Sequence, residues 1–167
     1  ALLQDQRGLI YVGNNVGVLE FDGVQWRIIR TNNQSVVRSL ALSPDGRIFV
    51  GAKAELGYIN TTAAEAQYHS WLDRIPPQYR NFQDIRQTFA YKNGAVFVAR
   101  QQLFIVDDTS VQVLQSQSHF SRAFQVSERI LVLDQQQGLL ELKNNNLLPL
   151  PGAAQLTGKN IVLAEQW

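Results

Sequence analysis

The chain has 167 residues, 45% of them hydrophobic and 17% charged, enough for one ordinary domain with a real core and too apolar for a disordered segment. A formal net charge of +1 gives no reason to expect a nucleic-acid partner, and the absence of cysteine excludes disulfides and thiolate metal sites. No apolar run approaches the roughly 18 residues a membrane helix requires. With no methionine at any position, the chain is expected to be a piece of a longer protein.

Taken in order, the first clear unit is Arg7 to Gly23. Leu9 to Val12 is apolar, rich in β-formers and flanked by glycines, which favours a strand over a helix. Val18, Leu19 and Phe21 form a second strand, Asp22-Gly23 marks a hairpin turn, and Gln25 to Ile29 supplies a third strand around Trp26. One such meander cannot bury both its faces.

The rest of the chain supplies neighbours. Gly8-Leu-Ile-Tyr-Val-Gly13 recurs as Gly46-Arg-Ile-Phe-Val-Gly51 and as Gly94-Ala-Val-Phe-Val-Ala99, then as Ile130–Leu133 and Ile161–Ala164, at spacings of 38, 48, 34 and 31 residues. The following strand recurs as Gly17–Phe21, Gly57–Ile59, Leu103–Val106 and Gly138–Leu142. A third follows as Gln25–Ile29, Tyr68–Leu72, Val111–Leu114 and Leu147–Leu150, and a preceding strand is expected at Val37–Leu42, Ile85–Tyr91 and Ala123–Val126.

Four short antiparallel strands per unit, at periods of 31 to 48 residues, are the signature of β-propeller blades. The expected fold class is therefore all-β, with units at about 1–30, 36–72, 84–116, 121–150 and 153–167: four blades and half of a fifth, within one partial propeller domain spanning 1–167. The continuously apolar core strand suits a position covered by neighbouring blades on both faces. Helical repeats fail because Asp-Gly and Asn-Gly turns come too often; a β-sandwich is the alternative. One link is irregular. Between Leu72 and Asp84 the Pro76-Pro77 pair breaks the ladder, and Ile75, Tyr79 and Phe82 either serve a functional excursion or cover a blade edge.

Gln4-Asp5-Gln6-Arg7-Gly8 running into Leu9–Gly13 and Gly17–Gly23 resembles the two-component regulator propeller repeat, as does Ser43-Pro-Asp-Gly46 running into Arg47–Gly51 and Glu55–Ile59. That repeat pairs an Asp-x-x-Gly turn with an aromatic-containing strand and a glycine-containing return strand. The likeness continues through Tyr68–Leu72, Ile75-Pro76, Arg80–Phe82 and Asp84-Ile85, and weakens where Ser127-Glu128 and Gly158-Lys159 replace the turn. The resemblance implies a bacterial ligand-sensing ectodomain, periplasmic or extracellular. In similar proteins about seven blades close a propeller, and a three-tyrosine sandwich, a membrane helix and an intracellular output domain follow. On that reading the chain is an arc completed by further blades or by another copy, and it meets a membrane only through segments it does not contain.

Chemistry is sparse. His69 and His119 fall in separate units, no metal-ligand spacing occurs, and neither a nucleophile elbow nor a phosphate-cradling glycine loop is present, so no catalytic residue, metal or cofactor is expected. The loops leaving the second strand of every blade emerge on one face, and here they are polar and vary in charge. They nominate Asn14 and Asn15, Lys53 and Glu55, Arg100 and Gln101, Asp134 and Gln135, and Glu165 as ligand-binding residues for an oligosaccharide or a peptide. The expected function is non-catalytic ligand sensing in signal transduction. The alternatives are a dimerisation or docking scaffold, which an exposed patch of Tyr79, Phe82 and Phe120 would favour, and a propeller-fold lyase or hydrolase.

Overall fold

A computed structural model describes residues 1–62, 65–159 and 161. Among these residues the chain forms four antiparallel sheets of four strands, each a simple up-and-down meander in chain order, and no α-helix. The first blade comprises β1 (Leu2–Gln4), β2 (Ile10–Asn14), β3 (Gly17–Phe21) and β4 (Trp26–Arg30). The second comprises β5 (Val37–Leu42), β6 (Ile48–Ala52), β7 (Glu55–Asn60) and β8 (Gln67–Ser70). The third comprises β9 (Gln87–Tyr91), β10 (Gly94–Val98), β11 (Gln102–Asp107) and β12 (Val111–Gln115). The fourth comprises β13 (Phe120–Val126), β14 (Arg129–Asp134), β15 (Gly138–Lys143) and β16 (Asn146–Pro149). The expected fifth core strand, Ile161–Ala164, lies almost wholly outside the described residues.

Side chains on a strand alternate between its faces, and here each face of an inner blade has its own core. Ile48, Val50 and Ala52 of β6 pack back on Tyr11, Val18 and Ile29 of the first blade. Phe49 between them points forward to Ala95, Phe97 and Phe104 of the third. Val96 and Val98 point forward again, onto Ile130, Val132 and Ala123 of the fourth. Three interblade cores thus join four blades, and the second strands of the two inner blades, β6 and β10, are apolar throughout because each belongs to two of them.

These contacts correct the register read from the repeats. The turn after the second strand closes on the pairs Asn14–Gly17, Ala52–Glu55, Ala99–Gln102 and Asp134–Gly138. Val12, Val50, Phe97 and Val132 are therefore equivalent, at spacings of 38, 47 and 35 residues. Aligning Gly94 with Gly46 shifts the third unit by one, which assigns Phe97 to the wrong face. The cause is the preceding turn. Asp5 to Leu9 and Ser43 to Arg47 make the same loop, with amide bonds from Gly8 to Asp5 and from Gly46 to Ser43 and with both glycines at φ +88°, whereas the third blade turns on Lys92-Asn93 alone.

Other boundaries differ for local reasons. β1 has only three residues and no match elsewhere in the chain, so the repeats did not point to it. β8 ends at Ser70, because Leu72–Arg74 and Pro77–Tyr79 form 3-10 turns. β9 begins at Gln87 and not at Ile85, whose amide bonds Ala52 of the preceding blade. The irregular link is a wedge: blades diverge outward, and Trp71, Ile75, Phe82 and Ile85 fill the gap between the second and third, with Phe82 4.9 Å from Phe104. Phe82 and Phe120 are buried, so the aromatic patch that would favour a docking scaffold does not form.

The first blade leaves its back face uncovered. Leu2 and Trp26 there are 72% and 53% exposed, and Ile10, Val12, Leu19 and Phe21 only partly buried, while the equivalent Ile48, Val50 and Ile59 of the second blade are at 0%.

Candidate functional site

In an up-and-down meander the connections alternate between two ends of the sheet. The turns between first and second and between third and fourth strands share one end, called here the turn end. The loops between second and third strands, and the links to the next blade, share the other, the loop end. The topology brings Asn14, Asn15, Lys53, Glu55, Arg100, Gln101, Asp134 and Gln135 to the loop end. Glu165 lies outside the described residues.

These residues then divide. Glu55 is only 2% exposed: its Oε1 accepts from the Ser70 hydroxyl at 2.6 Å and from the Leu56 amide at 3.0 Å. Asp134 is 1% exposed, and it accepts from the hydroxyls of Ser116 and Ser118 and from the amides of Gln136 and Gln137, the last two both at 2.9 Å. Burial alone would raise the Asp134 carboxyl, but these donors outweigh it and hold it below the usual carboxylate range. Both acids are corrections to the nominated set: buried on amides of their own turns and on hydroxyls of the neighbouring strand end or interblade link, they present nothing outward. Asn14 is half-buried and takes the Asn15 amide on its side-chain oxygen.

Asn15, Lys53, Arg100, Gln101 and Gln135 are exposed. Except at Asn15, the loop backbone under them is pinned by hydrogen bonds beyond its own turn. The Lys53 carbonyl accepts from Asn33 Nδ2 and Ser35 Oγ at 3.0 and 2.7 Å, and its amide donates to Val36. The Arg100 carbonyl accepts from the Phe120 amide at 2.7 Å, the Gln101 carbonyl from Ser116 at 3.0 Å, and the Gln135 amide donates to His119 at 3.1 Å. The Gln101 side-chain amide also donates to the Ser118 carbonyl at 3.4 Å. Rigid backbone under exposed polar side chains is a preorganised surface.

Residues of the interblade links also belong to this end, and the loop-by-loop reading missed them. The return leg of the wedge lies along the Ala99–Gln102 loop, where Asn81, Gln83, Arg100 and Gln101 line a cleft of about 200 Å³ floored by Phe82 and Ala99. Asp84 bridges Lys53 and takes the Arg38 guanidinium at 3.0 Å; Arg86 follows, exposed. The signal was available: a link from a fourth strand to the next first strand must leave from the same end as the second-strand loop. A larger concavity of about 940 Å³ runs along the innermost strands, lined by Leu40, Leu42, Phe89, Tyr91, Gln125 and Glu128.

Among the described residues no group of three or more His, Asp or Glu side chains could hold a metal ion. His69 stacks on Tyr58 at 5.1 Å, a packing role on an outer strand. No helix among them is long and apolar enough to cross a membrane.

No family model matches the chain, and no curated protein matches it. Among solved structures it is similar to the extracellular domain of BT4673 from B. thetaiotaomicron, described in one structure as part of a one-component system and in another as part of a hybrid two-component system. Each match has a TM-score of 0.64 and 18% identity, and covers 90% of this chain and 21% of that one. The chain therefore spans about a fifth of the length of those domains. At this identity the likeness is one of fold, and it agrees with the sequence resemblance to two-component regulator propellers: this chain shares the fold of a stretch of an extracellular domain from such a system.

Proposed function

We propose that the chain is part of the extracytoplasmic, ligand-sensing propeller of a bacterial signal-transduction receptor, that it is non-catalytic, and that a polar ligand binds at the loop end. The observation that carries this reading is the separation of roles there: the side chains of Lys53, Arg100 and Gln135 are exposed on pinned loops with no hydrogen bond or ion pair among the described residues, while Glu55 and Asp134 are consumed in buried hydrogen bonds to hydroxyls and amides around them. The extracellular solved relatives support the compartment, and the membrane and output segments would lie in other parts of the protein. Isothermal titration of the intact protein with a panel of oligosaccharides and peptides tests it. Lys53→Ala together with Arg100→Ala should weaken binding of any hit; unchanged affinity would remove the loop end from the reading.

The uncovered back face of the first blade supports the partner proposed here, a further blade of the same repeat. Leu2, Ile10, Val12, Phe21 and Trp26 occupy the positions by which blades two to four pack on their predecessors. Such a blade, from elsewhere in the protein or from a second copy, would cover a sheet face that otherwise stays wet.

A further inference from the structure

All three junctions between the blades carry a cationic clip at the turn end, and it runs in one direction. The turn between a blade's first and second strands supplies the cation, and the turn between the next blade's third and fourth strands receives it. Arg7 reaches the Thr61 carbonyl at 2.9 Å, Arg47 the Asp108 carboxylate at 2.8 Å, and Lys92 the Asn145 side-chain oxygen at 2.8 Å. Two further cations near this end, Arg27 and Arg129, pair within their own blades with Glu20 and Glu141.

The first blade has a receiving turn of its own, Asp22–Gln25, which no cation reaches among the described residues. Phe21 pairs with Trp26 as Val106 does with Val111 and Leu142 with Leu147. Gly23 therefore stands where Asp108 takes Arg47, and Val24 where Asn145 takes Lys92. The turns are built alike: Asp22 Oδ1 accepts from the Val24 and Gln25 amides at 2.8 Å each, as Asp107 Oδ1 does from Thr109 and Ser110 at 2.8 and 2.7 Å. Val24 is 90% exposed, and a side chain at Gly23 would meet nothing within 4 Å. Directly beside this turn Phe21 and Trp26 stack at 4.7 Å on the uncovered back face. Ile59, Val106 and Leu142, which match Phe21, are all buried against the preceding blade.

We infer that Phe21, Trp26 and the Asp22–Gln25 turn together seat a blade of this repeat that carries an arginine or lysine in the turn before its second strand. That cation is donated to the Gly23 carbonyl and the Asp22 carboxylate, as Arg7 is to a carbonyl and Arg47 to a carboxylate. This rests on the reading that a further blade covers the back face, and it adds the residue type by which that blade is recognised. The apolar contact supplies most of the attraction. An exposed charge pair adds little affinity but fixes register and partner choice. A second copy is poorly equipped for the role. Its fourth blade holds Arg129, the match of Arg47, on Glu141 at 2.7 Å and carries an exposed Glu128 beside it.

The test uses the intact protein carrying this chain. Oxidation of Trp26 by hydroxyl radicals, read by mass spectrometry, should be suppressed in the native protein relative to the unfolded one. Val24→Glu should melt higher than Val24→Lys, with the difference closing in high salt. Without an incoming cation the order reverses, because the nearest charge is then Asp22, which repels a glutamate and attracts a lysine. A reversed order, or equal Tm values, with Trp26 protected would overturn the clip and leave the further blade standing. Trp26 oxidised as fast as in the unfolded protein would overturn both. Protection that disappears on dilution would assign the face to a second copy and overturn the proposed occupant.

Discussion

The two ends of the blades are built from the same kind of hairpin connection and put charge to opposite uses. At the turn end, cations of one blade reach the next: Arg7 donates to the Thr61 carbonyl at 2.9 Å, Arg47 to Asp108 and the Asn93 carbonyl at 2.8 and 3.1 Å, and Lys92 to Asn145 at 2.8 Å. These clips recur at all three junctions between the four blades. At the loop end backbone bonds and the Ser39 hydroxyl cross between blades, Arg38 pairs with Asp84, and the side chains of Lys53, Arg86 and Arg100 are exposed with no hydrogen bond or ion pair among the described residues. The difference teaches where each property resides: charge at the turn end holds blades together, and Lys53, Arg86 and Arg100 at the loop end are left exposed, where the proposed ligand would meet them.

Substitutions can break this contrast at graded cost. Phe97→Ala removes a fully buried ring that meets Phe49 and Trp71 edge-on at 6.4 and 6.2 Å, and should cost about 3–5 kcal/mol in denaturant unfolding. It loosens both ends together. Asp134→Ala strands two hydroxyls and two amides at the loop end and should cost about 1–3 kcal/mol.

Acid should reach the same group reversibly. An unfolded aspartate titrates near about 4, and Asp134 is held lower when folded, so on acidification the unfolded chain takes up its proton first. Its contribution is complete above the unfolded value and is lost as pH falls through the folded one. Asp5 is depressed too: burial opposes this, but the Arg7 guanidinium and the Leu9 and Arg7 amides prevail. Equilibrium unfolding followed from neutral pH downward should show stability falling below about pH 4, with a shallower fall in the Asp134→Ala protein.

Smaller effects separate the ends more cleanly. Arg47→Ala removes an interblade clip and a guanidinium lying 5.5 and 5.4 Å over Phe49 and Tyr58, and should cost about 1 kcal/mol, seen as a lower Tm. Arg86→Ala and Arg100→Ala should change stability by less than about 0.5 kcal/mol, since both side chains are exposed and make no hydrogen bond or ion pair among the described residues.

Much of the architecture was legible because a blade is a local object. Ile48–Ala52 and Gly94–Val98 are continuously apolar, and Asp22-Gly23 and Ser43–Gly46 punctuate the meanders, so strands and turns could be read from short segments. Register was less legible. The glycine match at Gly94 is attractive in sequence, yet the two-residue turn at Lys92-Asn93 moves the third blade by one, and only the burial of Phe97 against the second blade reveals it. The candidate site was legible as a set of loops and illegible as a surface. Glu55 and Lys53 are two residues apart and look alike in the chain, but Ser70 and the Leu56 amide bury one while the other faces solvent. Arg38 and Arg86 went unread because their place depends on which end the interblade links leave from.

The most direct measurement compares ligand affinity in two variants of the intact protein, Arg86→Ala with Arg100→Ala at the loop end against Arg47→Ala at the turn end, alongside their melting curves. The account predicts that the loop-end variant loses affinity for its ligand with its Tm unchanged, while the turn-end variant keeps affinity and melts lower. Loss of affinity in Arg47→Ala with full affinity in the loop-end variant would contradict it.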